Sequence, residues 1–370
     1  MGQRRNSVQK GGALAACFAA TLLALLRVVR AWNQTGQKHA GEPDIAKTLF
    51  PAHNFIFWLL VLATYLDVVQ RLARRAVPWA SRQLSSAASF ALGIAALGFK
   101  VAFTKADAPE LLEGLQFFVL RPLEEASLVA QARAFFSSNA IMMALTSFPV
   151  IYQRAFQGEK TDGMILLEMH CKHEVLTPRL PDVLRPLHDL FTLFLITQSR
   201  ATNIPLYLLF ELQFHVLGYL QISGAELTLA TLLFQYASFF AFGGSNAISS
   251  VDLSNAYNGI NGYNVVAVGV LTFCGNWAGP LWWTSAMALL LSKHESQGQW
   301  KYWIQHTSLL TAFAASSALF VMLACTALRT HLFIWTVFSP KYLYSMAWSM
   351  GQHLCINIGL GSVLFWIGTW

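Results

Sequence analysis

Long apolar runs recur along this chain and leave little room for a water-soluble fold. "GGALAACFAATLLALL", "FIFWLLVLATYL", "LTLATLLFQYASFFAF" and "VVAVGVLTFC" are each apolar enough to live in hydrocarbon. A helix of about twenty such residues crosses a bilayer core of roughly 30 Å. Charged residues make up only 12% of the chain, against roughly a quarter in a soluble domain. Inside lipid every backbone polar group must be satisfied by the protein itself, so the runs are expected as helices. The expected fold class is an all-α polytopic membrane protein.

About ten transmembrane helices are expected, near 11–29, 55–71, 84–103, 135–153, 187–198, 205–222, 226–243, 265–291, 305–328 and 351–370. The segment "LHDLFTLFLITQ" is short for a crossing, so broken or re-entrant segments belong to the expectation. Residues 1–370 then form a single multi-span domain. "MGQRRNSVQK" ahead of the first run resembles the charged part of a signal peptide. "RVVR" follows Leu26 with no small-residue cleavage pattern, and the run is read as a retained span. The aromatic-rich 331–348, broken by Pro340, is expected at an interface.

Basic residues set the orientation. The net charge of +7 is spread over the ends of apolar runs rather than gathered on one face, which argues against nucleic acid as a partner. Arg71, Arg74, Arg75 and Arg82 crowd one loop without an acid, which places that loop in the cytosol. The connection 104–134, with Asp107, Glu110, Glu113, Glu124 and Glu125, then faces the other compartment. Alternation puts loops 30–54 and 243–264 on that same far side. Four of the five cysteines lie inside apolar runs, so no disulfide framework is expected.

Those two far-side loops carry most of the candidate chemistry. "RVVRAWNQTGQKHAGEPDI" combines Asn33, Gln34 and Gln37 with glycines and with Glu42 and Asp44. Amides offer donors and acceptors together, which suits polar headgroups or sugars, and a hydrated turn is the plainer alternative. The sequon Asn33–Thr35 lies close against the first span. "GGSNAISSVDLSNAYNGINGYN" brings Asn246, Asp252, Asn255, Tyr257 and Asn258 into a break between two apolar runs. Irregular backbone near membrane depth is tolerated where protein or a water-filled cavity satisfies it. Asp252 there either orients a ligand hydroxyl or amine or caps a short helix beginning at Leu253. In "CGNWAGPLWW", Gly275, Gly279 and Pro280 loosen a helix and Asn276 offers a partner for freed backbone groups. Trp282 and Trp283 are expected in an interfacial belt.

Ionisable residues inside spans are either functional or paired within the bundle. Asp67, Lys100 and Glu226 sit near predicted helix ends, where they snorkel or cap; Asp189 also falls within a span, and His353 in the last one. Glu211 and His215 share a helix face at i, i+4 and form the expected intramembrane polar pair, structural or substrate-lining. His170, Cys171 and His173 are too close in sequence to make a good tetrahedral zinc site, and no metal site is expected in this chain. No Gly-x-Ser-x-Gly, His-Glu-x-x-His or phosphate-binding Gly-rich motif occurs, so no catalytic residue is assigned.

"RAWNQTGQKHAGEPDIAKTL", "SNAISSVDLSNAYNGINGYNVVAVGVLTFCGNWAGPLWW" and "RTHLFIWTVFSPKYLYSMAW" together resemble the C-terminal membrane region of the GPI ethanolamine phosphate transferases. The fungal type that acts on the second mannose is the one they resemble most. The resemblance implies a multi-pass protein of the endoplasmic reticulum that helps to move phosphoethanolamine from phosphatidylethanolamine onto a GPI precursor. It also implies zinc in a lumenal, alkaline-phosphatase-like catalytic domain that is expected to be missing from this chain, leaving it inactive alone. A small membrane subunit that stabilises the transferase is an implied partner. On that basis Asn33, Gln37, Glu42, Asp44, Asn246, Asp252, Asn255, Tyr257, Asn258 and Asn276 are expected near substrate. The alternatives are a secondary transporter or lipid flippase, for the broken helices and for Glu211 and His215, and a noncatalytic scaffold subunit.

Overall fold

In the computed structural model the described residues are 2–33, 44–75, 81–114, 126–157, 181–220, 222–245, 250–292, 299–331 and 339–368. In chain order the α-helices are α1 (Gly2–Ala31), the single turn α2 (Ile45–Thr48), α3 (Asn54–Ala73), α4 (Arg82–Asp107) and α5 (Leu128–Gln157). They continue as α6 (Pro181–Gln198), α7 (Leu206–Tyr219), α8 (Gly224–Ala241), α9 (Val265–Asn276), α10 (Ala278–Ser292), α11 (Gln299–Ala327) and α12 (Ser339–Trp348). A π-helical stretch, Ser349–Leu360, then leads into α13 (Gly361–Gly368). No strand occurs among the described residues.

All ten expected segments are helical, and the expected fold class holds. Six helical segments are long and apolar enough to cross a membrane, and α9 with α10, bent by 73°, make a seventh. Helices α6, α7 and α8, expected as spans, are shorter, at 18, 14 and 18 residues.

Helices α6 and α10 sit at the centre. They pack on each other, with α10 also touching α8 and α13 while α3, α4 and α5 gather on α6. Helices α1 and α11 are outermost and turn most of their apolar surface outward. That arrangement suits α6, whose sequence is the least lipid-like of the central helices. His188, Asp189, Thr192, Thr197 and Gln198 are all buried and all bonded inside the bundle. Polar side chains of this kind hold membrane helices together when they find partners across the bundle.

Local chemistry sets the helix ends. Ser223 and Glu226 form a reciprocal capping box at the start of α8, Asn264 accepts from Ala267 N at 3.0 Å to start α9, and Ser81 caps α4. Such caps satisfy backbone donors that a helix cannot satisfy itself. Glu226 therefore caps, as its position suggested.

The bend between α9 and α10 falls at Trp277, within the Gly-Asn-Trp-Ala-Gly-Pro stretch that predicted it. Gly279 lets α10 approach α8: a Cβ there would stand 2.6 Å from Ser238 Cβ. Trp282 and Trp283 do not form an interfacial belt. Both are fully buried, Trp283 stacking on Phe234 at 4.6 Å and Trp282 meeting His188 at 5.2 Å. The belt expectation assumed that α10 began at the surface, whereas the bend sends it straight into the core.

The π-helical stretch carries its own polar seam. Gln235 of α8 donates to Asn357 Oδ1 at 2.8 Å and to Thr284 Oγ1 at 3.0 Å, and it accepts from Gln352 at 3.2 Å. His353 lies 3.0 Å from Thr311 Oγ1, so it is paired within the bundle.

Filling the closest of these contacts is expected to loosen the core. Gly279→Val should lower stability by about 1–3 kcal/mol, the usual penalty of overpacking. Thermal unfolding in detergent measures it. Gly269→Val, where an added Cβ meets nothing within 4 Å, should leave the midpoint unchanged.

Candidate functional site

Four connections meet at one end of the bundle. Trp32 Nε1 donates to Thr202 O at 3.0 Å, and Asn33 Nδ2 donates to Asn203 Oδ1 at 3.1 Å and to Ala241 O. These bonds join the end of α1 to the α6–α7 turn and to the end of α8. The acidic link after α4 belongs to the same end, because Asn54 donates to Glu110 O at 3.0 Å and Trp58 to Leu111 O at 2.8 Å. Arg133 Nε donates to Gly259 O at 2.7 Å, which brings in the loop after α8. The described parts of the two polar loops singled out in the sequence therefore do share one face.

Between them opens a cleft of about 400 Å³. Asn33, Lys47, Asp107, Glu110, Arg200 and Ser254 supply its polar lining, with Phe103, Pro51 and Leu111 as apolar wall. The volume lies within the usual range for a small-molecule site. Two cations and two carboxylates share one small space, together with an amide and the hydroxyl residues Thr104, Thr202 and Ser254. Such a lining matches a ligand that carries both signs of charge.

A hidden lysine holds the floor of this end. Lys100 of α4 is fully buried, and its Nζ donates to Thr197 O at 3.3 Å, to Ser199 O and to Asn255 Oδ1 at 3.4 Å. The carbonyls at a helix C-terminus lack intrahelical donors and carry partial negative charge, so an ammonium suits the end of α6. Lys100 caps, as one reading of its position had it, and does not snorkel. Gln198 beside it donates to Asn255 O at 2.7 Å and Leu271 O at 3.1 Å and accepts from Asn258 Nδ2 at 3.1 Å.

Asp252 anchors the rim. Arg200 approaches it in bidentate fashion, Nε at 2.6 Å from Oδ2 and a terminal nitrogen donating to Oδ1 at 2.8 Å. Ser254 N and Oγ also donate to that Oδ1, at 3.0 and 2.8 Å. Burial by itself would raise the Asp252 carboxyl. The Arg200 and Ser254 bonds outweigh burial and hold it below the usual carboxylate range. The local reading of Asp252 is the one seen: the carboxylate turns the backbone at Ser254 and also fixes a cleft arginine.

The remaining expected residues divide by position. Asn33 lines the cleft. Asp44 is buried and caps α2, accepting from Lys47 N at 3.0 Å, and so positions a cleft residue. Asn255 and Asn258 are buried and face the Lys100–Gln198 cluster rather than the cleft. Asn276 clasps the backbone of Asp252, accepting from its N and donating to its O, each at 2.8 Å. Tyr257 is half exposed. Gln37, Glu42 and Asn246 lie outside the described residues, as do His170, Cys171 and His173. Among the described residues no three His, Cys, Asp or Glu side chains gather to hold a metal ion.

Lys47, Asp107, Glu110 and Arg200 were not expected in a site. Asp107 and Glu110 counted only towards orientation, although "KADAPELL" already joined two acids to a turn. Arg200 carried a signal too, as a lone charge in the non-helical "SRATNIP" between two apolar runs.

The Glu211–His215 pair lies elsewhere, towards the opposite end of the bundle, with Glu211 Oε1 3.1 Å from His215 Nε2. The pair is part of a larger network. Arg71 lies 3.2 Å from Glu211 Oε1, donates to Asp189 Oδ1 at 3.0 Å and also pairs with Asp67, while Arg75 pairs with the second Asp189 oxygen. The network ties α3, α6 and α7 together, which is the structural reading of the pair.

Residues 2–370 match the family described as the GPI ethanolamine phosphate transferase membrane region. The chain is 42% identical over 345 residues to GPI ethanolamine phosphate transferase 2 of Aspergillus fumigatus, covering 91% of this chain and 35% of that protein. It is 38% identical over 368 residues to the protein of the same name from Aspergillus oryzae, covering 97% of this chain and 36% of that protein. For the Yarrowia lipolytica protein of that name, identity is 31%, covering 91% of this chain and 41% of that protein. The chain thus spans little more than a third of the length of these relatives. No solved structure matches it.

The Asp252 anchor has a pH signature. A carboxyl held low in the folded state adds stability above its unfolded pKa, about 3.9, and loses it as pH falls through the lower folded value. The hydrogen-exchange protection of residues 250–259, taken relative to the intrinsic rate at each pH, should hold from neutral pH down to about pH 4 and fall below it. Asp252→Asn should abolish that acid transition.

Proposed function

The chain belongs to the GPI ethanolamine phosphate transferase membrane-region family, and from that membership we propose that it places lipid substrates for phosphoethanolamine transfer in GPI-anchor biosynthesis. The single observation that supports the reading is the cleft of about 400 Å³ lined by both signs of charge. Phosphatidylethanolamine presents an anionic phosphate and a cationic ammonium a few bonds apart. Lys47 and Arg200 suit the phosphate, and Asp107 and Glu110 suit the ammonium. Asn33 and Ser254 add neutral groups for hydroxyls of the acceptor glycan, for which we propose the second mannose, on the resemblance of the loop motifs to that type.

In this reading the chain supplies position. A lumenal catalytic domain supplies the reacting groups and its zinc, and the membrane domain holds the two lipids beneath it. Fixing donor and acceptor near each other replaces a bimolecular encounter by an effectively unimolecular one, worth up to several kcal/mol. Asp252, Asn255, Asn258 and Asn276 serve as the frame, because each bonds to the rim or the floor of the cleft. We place the protein in the endoplasmic reticulum membrane with the cleft facing the lumen, and take a small stabilising membrane subunit as its partner. The charges of Glu211, His215, Arg71 and Asp189 are paired with one another within the bundle, which favours this reading over a transporter.

Two measurements test the proposal. In the full-length transferase, Lys47→Gln and Asp107→Asn should each cut kcat/KM roughly tenfold, the loss of one hydrogen bond to a charged group, mainly through a higher KM for phosphatidylethanolamine. Unchanged kinetics in both variants, with normal expression, would sink the headgroup assignment. In sealed microsomes a Tyr257→Cys tag should be reached only from the lumenal side and a Gln83→Cys tag only from the cytosolic side.

A further inference from the structure

The end of the bundle opposite the cleft carries a second cavity, of about 790 Å³, between α3 and α4. Its origin is geometric. Gly93 of α4 lies hard against Val69 of α3, where a Cβ would stand 2.3 Å from Val69 Cγ2, so the helices approach closely there. From that contact towards their basic ends the facing residues include Ala73, Ala87 and Ser86, too small to fill the space. An open groove results, walled by Phe90 and edged by Gln70, Gln83, Arg74 and Arg82.

The charges at this end are divided unequally. Arg71 and Arg75 turn inward and are consumed by Asp189, Glu211 and Asp67. Arg74 and Arg82 are exposed, and among the described residues no carboxylate lies within ion-pair distance of either. Asp67 feels the charge of Arg74 without contacting it. Two uncompensated guanidiniums therefore edge one groove, one from each helix, with amide donors beside them and an apolar wall running towards mid-membrane.

We propose that this groove binds an anionic phospholipid, its phosphate held between Arg74 and Arg82 and an acyl chain lying along Phe90. Guanidinium forks match phosphate oxygens in a bidentate manner, and Gln70 and Gln83 can bond the ester or headgroup oxygens. The charge pattern assigns this end to the cytosolic face, where anionic lipids concentrate. The site is separate from the cleft, and its occupancy does not depend on the transfer reaction.

Native mass spectrometry of the chain released from phosphatidylcholine nanodiscs doped with phosphatidylserine tests the site. Wild type should retain phosphatidylserine in preference to phosphatidylcholine, and Arg74→Gln with Arg82→Gln should lose that preference by roughly fivefold per arginine. Arg74→Lys with Arg82→Lys should keep most of it, and an excess of inorganic phosphate should not displace the lipid. Phosphatidylserine should also raise the thermal-unfolding midpoint of the wild type, a readout that needs no variant. Equal retention of the two lipids by wild type, an unchanged preference in the glutamine variant, or displacement by inorganic phosphate would each overturn the assignment.

Discussion

An ammonium buried in a membrane bundle needs partners that no water will supply, and Lys100 finds them at the end of α6. By satisfying the carbonyls of Thr197 and Ser199 it lets a central helix stop inside the protein. Its bond to Asn255 then pins the polar loop onto that helix end. The same helix end and loop are joined again by Gln198, on Asn255 and Asn258, and by Arg200 on Asp252, and the shared face of the bundle rests on these contacts together.

The opposite end solves the same physical problem differently. There the carboxylates of α6 and α7 meet arginines from α3, with Asp189 placed between Arg71 and Arg75. Removing one member of such a buried pair typically costs about 3–5 kcal/mol, because the other is left uncompensated. Helix α6 is therefore held at one end by acid–base pairing and at the other by a lysine on its carbonyls. That explains how a helix with so many polar residues can occupy the middle of the bundle.

The fold class, the places of most helices and the meeting of the two polar loops were legible because they depend on local apolarity and on where charge collects. The break in the α9–α10 span was legible from Gly275, Gly279 and Pro280 for the same local reason. The inward course of α10 was not, so Trp282 and Trp283 were misplaced. The cleft was half legible. Asn33 and Asp252 announced themselves by standing in polar loops, whereas Lys47, Asp107, Glu110 and Arg200 looked like ordinary charges at helix ends. Lys100 and Gln198 reach residues more than fifty positions away, and such pairings depend on which helices become neighbours, which periodicity does not encode. Asn255 and Asn258 drew notice for the right chemistry but turned out to serve the frame.

The pair of hydrogen bonds between Asn276 and the Asp252 backbone makes the cleft's two sides mechanically unlike. One side is held through Asn276 to the end of α9, one residue before the bend that leads into the tryptophan-packed α10. The other side hangs on two short turns, Ile45–Thr48 and Pro109–Leu112. Any change in the width of the cleft must come mainly from that second side, which makes it the compliant jaw and the asparagine-clasped loop the fixed anvil.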